Sequence, residues 1–387
     1  MEERAAEKRP SGGSADRSGH ACLSGGRVVS SLDRKAARYG GRVEPATAKG
    51  LSMIDEEWLD RRISRGFDRA DLRRILTCDH SEAEAVFEAA RRLREEVFGR
   101  KAFIRAVVEF DNSCHCNCLY CGMRRENTET VRFKLNADQI LSVARRAHEN
   151  GIRTFFLQSA ESDDYGAGWL ADVITRIREL GMGVILCVGI HEAGALDLWY
   201  EAGARKFILK HETADGELFA KMKPGATLEN RLSWLRTLRE KGFDIGSGTL
   251  LGLPGQTIDS LVSDLVLMKE LEVDMSSVAL FLPARGTPLQ DQPSGDVDLG
   301  LRFVAALRLY LGDPLIPATS TFERLREGGQ LGCFQAGANV ITVNMTPPGL
   351  RDDYQLYTDR FYVGLRHARR TIERAGLEET TESDLLG

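Results

Sequence analysis

Eight short apolar runs, at 103–110, 154–160, 183–189, 206–211, 244–251, 275–282, 314–319 and 339–345, alternate with segments whose apolar residues recur every three or four positions. Leu170, Val173, Ile174, Ile177 and Leu180 form one such helical set, and Leu261, Leu265, Met268 and Leu271 another. The runs are too apolar for a sheet with one wet face, so they predict parallel strands buried on both sides. Eight strand–helix units in succession predict an α/β fold, a complete (β/α)8 barrel of TIM type over 101–350. Such a barrel uses about 250 residues, and the chain has 387. An open doubly wound sheet is the competing arrangement, but the phosphate fingerprint G-x-G-x-x-G is missing after the first run.

The flanks read differently. Residues 1–50 are rich in Gly, Ser, Ala, Arg and Lys without periodicity, as in Ser11-Gly12-Gly13-Ser14, and are expected to be a disordered extension. From 51 to 100 the spacing turns helical, with Leu59, Ile63 and Phe67, then Leu72, Ile75 and Leu76, then Ala85, Ala90, Leu93 and Val97, a helical preface that packs on the barrel. Residues 351–387, with Phe361, Leu365, Ala368 and Ile372, are read as a capping helix and tail. The net charge of −5, with both signs interspersed, gives no basic stripe for nucleic acid. There is no apolar leader at the start and no run of the eighteen or so apolar residues a membrane span needs, so a cytoplasmic protein is expected.

The first run ends in Cys114-His115-Cys116-Asn117-Cys118-Leu119-Tyr120-Cys121. Taken as Cys114, Cys118 and Cys121, the spacing is C-x3-C-x2-C, which offers three thiolates to an iron–sulfur cluster and leaves one iron without a protein ligand. A structural zinc site would need a second distant Cys/His unit, which the sequence lacks. Cys116 is read as a spare thiol facing away, with alternate ligation the other possibility; Cys22, Cys78, Cys187 and Cys333 are scattered singly and form no disulfide framework. Active sites of barrels gather at the carboxyl ends of the strands. Polar residues stand at those ends: Gln158-Ser159-Ala160-Glu161, Lys210-His211-Glu212, Pro283-Ala284-Arg285 and Asn344-Met345-Thr346, with Gly252-Leu253-Pro254-Gly255 after the fifth run.

With Tyr120 just before the last cysteine, the loop resembles the signature of the radical S-adenosylmethionine (SAM) superfamily. Glu109-Phe110-Asp111-Asn112-Ser113-Cys114, Asn117-Cys118-Leu119-Tyr120-Cys121-Gly122-Met123-Arg124-Arg125, Lys210-His211-Glu212-Thr213-Ala214, Gly252-Leu253-Pro254-Gly255-Gln256-Thr257 and Gly337-Ala338-Asn339-Val340-Ile341 resemble the family of the FeFe-hydrogenase maturase HydE. Methylornithine synthase and biotin synthase are its sister groups. The resemblance implies one 4Fe-4S cluster on Cys114, Cys118 and Cys121, with SAM chelating the fourth iron. It implies that Glu161 accepts from the methionyl amine and that Arg231 pairs with the carboxylate, which its planar fork can meet in two hydrogen bonds. Ser159 and Glu212 would serve the ribose hydroxyls and the amine, while Tyr120, Gly252 and Leu253 flank the adenine. Lys210, His211, Arg285, Thr319, Asn344 and Tyr357 are the candidate substrate pocket, and Tyr354 with Tyr357 would cap the mouth. One electron from a ferredoxin or flavodoxin would then split SAM to methionine and a 5'-deoxyadenosyl radical. The implied substrate is an iron-carbonyl-cyanide complex of cysteine bound for the hydrogenase diiron centre, with other hydrogenase maturases as possible partners.

The pattern is not kept throughout. The family's Gly-Glu after strand three is Gly189-Ile190, its Arg before the His-Glu pair is Lys210, and its His after strand six is Ala284. These changes keep open a relative that turns the same radical on an amino acid or another small organic molecule. A cluster carrier without catalysis is the third reading, opposed by the presence of both Glu161 and Arg231. Cys187 is expected to be a core thiol, and Cys333, alone, cannot hold a second cluster.

Overall fold

The computed structural model describes residues 53–162 and 164–381; the expected N-terminal extension lies outside them. Three helices come first: α1 (Glu56–Arg65), α2 (Arg69–Thr77) and α3 (His80–Phe98). Each begins on an aspartate whose side chain accepts from a backbone N–H of the first turn, and Asp68 and Asp79 make reciprocal capping boxes with Asp71 and Glu82. Their apolar stripes, including Leu59, Leu72, Ile75, Val86 and Ala90, are sealed from solvent. Helices α2 and α3 pack on α10 (Val297–Leu311), so this preface covers one flank of the sheet.

Seven parallel strands follow, β1 (Lys101–Asp111), β2 (Thr154–Ser159), β3 (Gly183–Cys187), β4 (Lys206–Ile208), β5 (Asp244–Leu251), β6 (Met275–Leu280) and β7 (Val340–Asn344). They are ordered β6-β5-β4-β3-β2-β1-β7, so every strand but the last pairs with its neighbour in sequence. The helices between them are α4 (Ala137–Glu149), α5 (Ala167–Glu179), α6 (Ala193–Glu201), α7 (Gly216–Met222), α8 (Leu228–Glu240), α9 (Ile258–Glu270) and, after β6, α10, α11 (Ser320–Leu325) and α12 (Gly329–Gln335). Burial on both faces is plainest in β1, where ten consecutive residues after Lys101 are buried.

A complete eight-stranded barrel is not formed. The run at 314–319 makes single-residue bridges, Leu315 to Met275 on one side and Pro317 to Val340 on the other. Pro314 and Pro317 have no N–H, so a continuous ladder is unavailable to this segment. It is held instead by hydrogen bonds such as Leu315 N to Asp274 O at 2.9 Å and Ala318 N to Val340 O at 2.8 Å. The result is a curled parallel sheet with its concave face enclosing a cavity. Strand β4 is also shorter than the expected 206–211: its ladder with β5 is interrupted at Lys210 and His211 and resumes as a single bridge from Glu212, whose φ is 64°, to Thr249.

Beyond β7 the chain crosses the mouth of the sheet through α13 (Pro348–Arg351), enters α14 (Leu365–Arg374) and ends in β8 (Glu378–Thr380), which pairs with the start of β1. No helix among the described residues is long and apolar enough to cross a membrane.

Candidate functional site

A cavity of about 400 Å³ opens at the carboxyl ends of the strands. Cys114, Cys118 and Cys121 line it, and so does Cys116. The expectation that Cys116 faces away is therefore overturned: the backbone turn that carries Cys114 and Cys118 inward carries the residue between them inward too. The loop is built on polar anchors. Arg132 donates to the carbonyls of Asn112, Met123, Arg124 and Asn127, and Asn127 and Thr130 both donate to the Gly122 carbonyl. Gly122 has to be glycine, since a Cβ there would lie 2.4 Å from the Gln355 carbonyl oxygen of the crossing segment.

Beside the cysteines stands a compact charge cluster. Glu161, just past β2, pairs with Lys223 and with Arg231, whose Nη1 is 3.1 Å away. Arg231 also donates through Nε to the Lys210 carbonyl. Burial alone would raise the Glu161 carboxyl, but Arg231 and Lys223 outweigh it and hold the group at about 2. Space for its side chain comes from Gly189, where a Cβ would sit 2.1 Å from Glu161 Cγ and φ is +79°. Glu212 lies across the cavity in its left-handed turn, fixed by Glu212 N to Gly248 O at 3.0 Å and Leu250 N to Glu212 O at 2.8 Å. Lys210 Nζ is 3.0 Å from Glu212 Oε2 but off the line of a hydrogen bond, which leaves this buried oxygen without a hydrogen-bond partner.

The family profile of the radical SAM superfamily matches residues 108–268. The [FeFe] hydrogenase maturase subunit HydE of Thermotoga maritima is 39% identical over 312 residues, 80% of this chain and 90% of that protein. The chain belongs to the radical SAM superfamily. The 3-methylornithine synthase of Methanosarcina acetivorans is 29% identical over 300 residues, covering 76% of this chain and 85% of that one. The crystal structure of methylornithine synthase superposes with a TM-score of 0.75 at 24% identity, over 84% of this chain and 98% of the other, a likeness of fold.

Radical SAM enzymes use a 4Fe-4S cluster and SAM, and the donor set here fits both. Crowded thiols resist losing their protons: hydrogen bonding to Cys114 pushes Cys116 up to about 12, and burial does the same to Cys121. A soft multivalent iron centre relieves that mutual repulsion. The anionic Glu161, the cationic Arg231 and the Glu212 oxygen that accepts no hydrogen bond offer complementary contacts to an amine, a carboxylate and a hydroxyl.

The other residues singled out in the sequence divide by place. Tyr120, Ser159, Lys210, Thr319, Asn344, Tyr354 and Tyr357 line the same cavity. The Ser159 hydroxyl is already engaged with Ala160 O at 2.8 Å and Tyr165 Oη at 2.7 Å. Gly252 and Leu253 stand behind the wall: Leu253 packs with Tyr120, Leu218, Met222 and Phe281, and Gly252 is pressed against Gly295. His211 points out of the cavity, its Nδ1 2.9 Å from Ser247 Oγ, in a buried network with Asp264 and Thr249 that fastens the turn bearing Glu212. Arg285 lines a neighbouring pocket of about 240 Å³, which shares Tyr357 and Arg360 with the main one. Cys187 is not sealed in the core but lines the cavity, whereas Cys333 is fully buried in α12.

Four charged residues were missed. Arg105 and Glu109 line the cavity from β1, and Arg360 lines it from the crossing segment. Arg360 grips Glu109 through two nitrogens, at 2.5 and 3.2 Å, while Asn344 Nδ2 donates to the same carboxylate at 2.9 Å. The sequence does hold a signal for the first two. Arg105, Val107 and Glu109 share one face of a strand otherwise apolar on both sides, and ionised groups there require partners. Lys223, buried beside Glu161, carries no such mark, because Lys-Pro-Gly after a short helix looks like any solvated turn.

Proposed function

We propose that this radical SAM enzyme is a HydE-type maturase, acting on an iron-carbonyl-cyanide complex of cysteine during assembly of the FeFe-hydrogenase cluster. The observation that carries the reading is the 39% identity to HydE of Thermotoga maritima across 80% of this chain. In this reading Cys114, Cys118 and Cys121 hold one cluster, and Cys333, buried away from the cavity, holds none. Held by these three cysteines, the cluster would supply one-electron chemistry, relaying an electron from a ferredoxin or flavodoxin for the reductive cleavage of SAM to methionine and a 5'-deoxyadenosyl radical.

The chain's own part is orientation and exclusion. Glu161 stays anionic at any working pH, because Arg231 and Lys223 neutralise it, and so remains an acceptor for the methionyl amine. Arg231 and Lys223 together present more positive charge than Glu161 absorbs, and the excess suits a carboxylate. In this reading Glu212 Oε2 accepts from a ribose hydroxyl and Tyr120 flanks the adenine; both line the cavity, and Glu212 Oε2 has no hydrogen-bond partner of its own. The segment across the mouth, carrying Tyr354, Tyr357 and Arg360, keeps bulk water from the reacting space. Ferredoxin, flavodoxin and any further maturases would dock outside this enclosure, in the cytoplasm.

Complementation tests the reading. The gene is expected to restore hydrogenase activity to a strain lacking its maturase. Failure to do so, together with 5'-deoxyadenosine release that consumes a small organic compound and needs no iron-carbonyl precursor, would replace it with the second reading, which Lys210 in the cavity wall favours.

A further inference from the structure

Cys116 sits among candidate ligands without belonging to the C-x3-C-x2-C trio. Its backbone is fixed by Arg125 N, which donates to the Cys116 carbonyl at 2.8 Å. Its side chain lines the cavity together with those of Cys114 and Cys118. Cys116 Sγ, a ring nitrogen of His115 and a carboxylate oxygen of Glu161 all lie within 4.8 Å of one another. Donors of three kinds therefore converge on the side of the cysteine loop that faces Glu161, the end at which the amine of SAM is placed above.

We propose that Cys116 is the resting ligand of the cluster iron that SAM later claims. This rests on the reading that Cys114, Cys118 and Cys121 hold the cluster and leave one iron open. Among the convergent donors the thiol is the best match to iron, since soft ligands suit such clusters, Glu161 is already committed to Arg231 and Lys223, and His115 is exposed. On ligation a sulfur–iron bond forms and the Cys116 proton passes to solvent. When SAM arrives that bond breaks, bonds from the amine and carboxylate of SAM replace it, and the Cys116 thiolate recovers a proton from solvent. No electron moves in either direction. The consequence is an iron shielded from water and oxygen until its cofactor is present, at the expense of some affinity for SAM.

The full chain, reconstituted anaerobically as wild type, Cys116→Ala and Cys116→Ser, provides the test. Without SAM, the wild type is expected to keep its whole iron complement on mild oxidation, while Cys116→Ala sheds one iron and shows the paramagnetic resonance of a three-iron cluster. With saturating SAM the reduced spectra of all three proteins are expected to converge. Equilibrium dialysis should show SAM bound about tenfold more tightly by Cys116→Ala, because a competing ligand is gone. Identical iron retention and identical SAM-free spectra in wild type and variants overturn this proposal alone. Loss of the entire cluster in both variants also overturns it, by making Cys116 an obligatory ligand. A wild type that binds no iron and sulfide overturns the cluster reading with it.

Discussion

Glu161, expected from the sequence at the carboxyl end of the second strand, lines the cavity there, but in surroundings that the sequence does not announce. Its place after β2 follows from strand order, but its two cations come from α8 and from the end of α7, 70 and 62 residues away. Such pairing is a product of the fold and has no local signature. Because the carboxyl stands at about 2 in the fold against its usual 4.5, its contribution to stability is complete above pH 4.5 and drains away as the pH falls toward 2. The size is on the order of 3 kcal/mol for a group this well enclosed. Urea unfolding at a series of pH values is expected to show that acid limb in the wild type and to lose it in Glu161→Gln. At neutral pH the same variant strands two buried cations and should be weaker by about 3–5 kcal/mol; equal midpoints would mean the three charges are not coupled. Gly189→Ala attacks the same carboxylate by shape. A Cβ at φ +79° is strained and would collide with Glu161 Cγ, so the expectation is a loss of SAM binding, measured by dialysis, with the cluster iron retained.

At the level of elements, the alternation of apolar runs and helical stripes located seven strands, and two failures have plain causes. Residues 314–319 are apolar enough for a strand, yet two prolines remove donors, and hydrophobicity does not register a missing N–H. Strand β4 stops early because the ladder with β5 is interrupted at Lys210 and His211 before Glu212 rejoins it with a left-handed backbone, a local distortion that hydrophobic periodicity does not register. The segment from Met345 to Val363 was legible only as a cap, since nothing in its sequence announces that Arg360 would reach the Glu109 carboxylate in β1. That pair is nearly sealed, with side-chain exposures of 8% and 2%, and it joins β1, which lies between β2 and β7, to the chain that closes the mouth. Arg360→Leu leaves Glu109 buried without its cation and should cost about 3–5 kcal/mol. It should also open bonds near Gln355 to limited proteolysis. Adding Glu109→Gln to Arg360→Leu is expected to restore part of the stability; a double variant no better than the single would show that the guanidinium acts through its tyrosine contacts instead.

Across the whole molecule, the part that makes the fold and the part that does the chemistry are physically distinct. The main core is drawn from strands and helices, with Phe155, Leu157, Leu186, Trp199 and Phe303 among its members, and none of the four loop cysteines belongs to it. The cysteine loop is anchored by Arg132, Asn112 and Asn127 rather than by its thiols. That separation is why the α/β fold and the cysteine loop at the cavity could be read independently in the sequence, the first by periodicity and the second by spacing. It also yields a prediction that treats the molecule as two parts. Serine at Cys114, Cys118 or Cys121 should abolish bound iron and sulfide and all release of 5'-deoxyadenosine. The metal-free form of each variant should nevertheless keep the circular dichroism of the metal-free wild type and melt within about 2 °C of it, since the exchanges lie outside the main core. Leu157→Ala should behave in the opposite way. It removes a fully buried side chain from β2, costs about 2–5 kcal/mol, and leaves the thiols free to take up iron below the lowered melting point. If the serine variants unfolded like Leu157→Ala, the loop would be part of what holds the sheet together, and the cluster would have to be counted as a structural element of the fold.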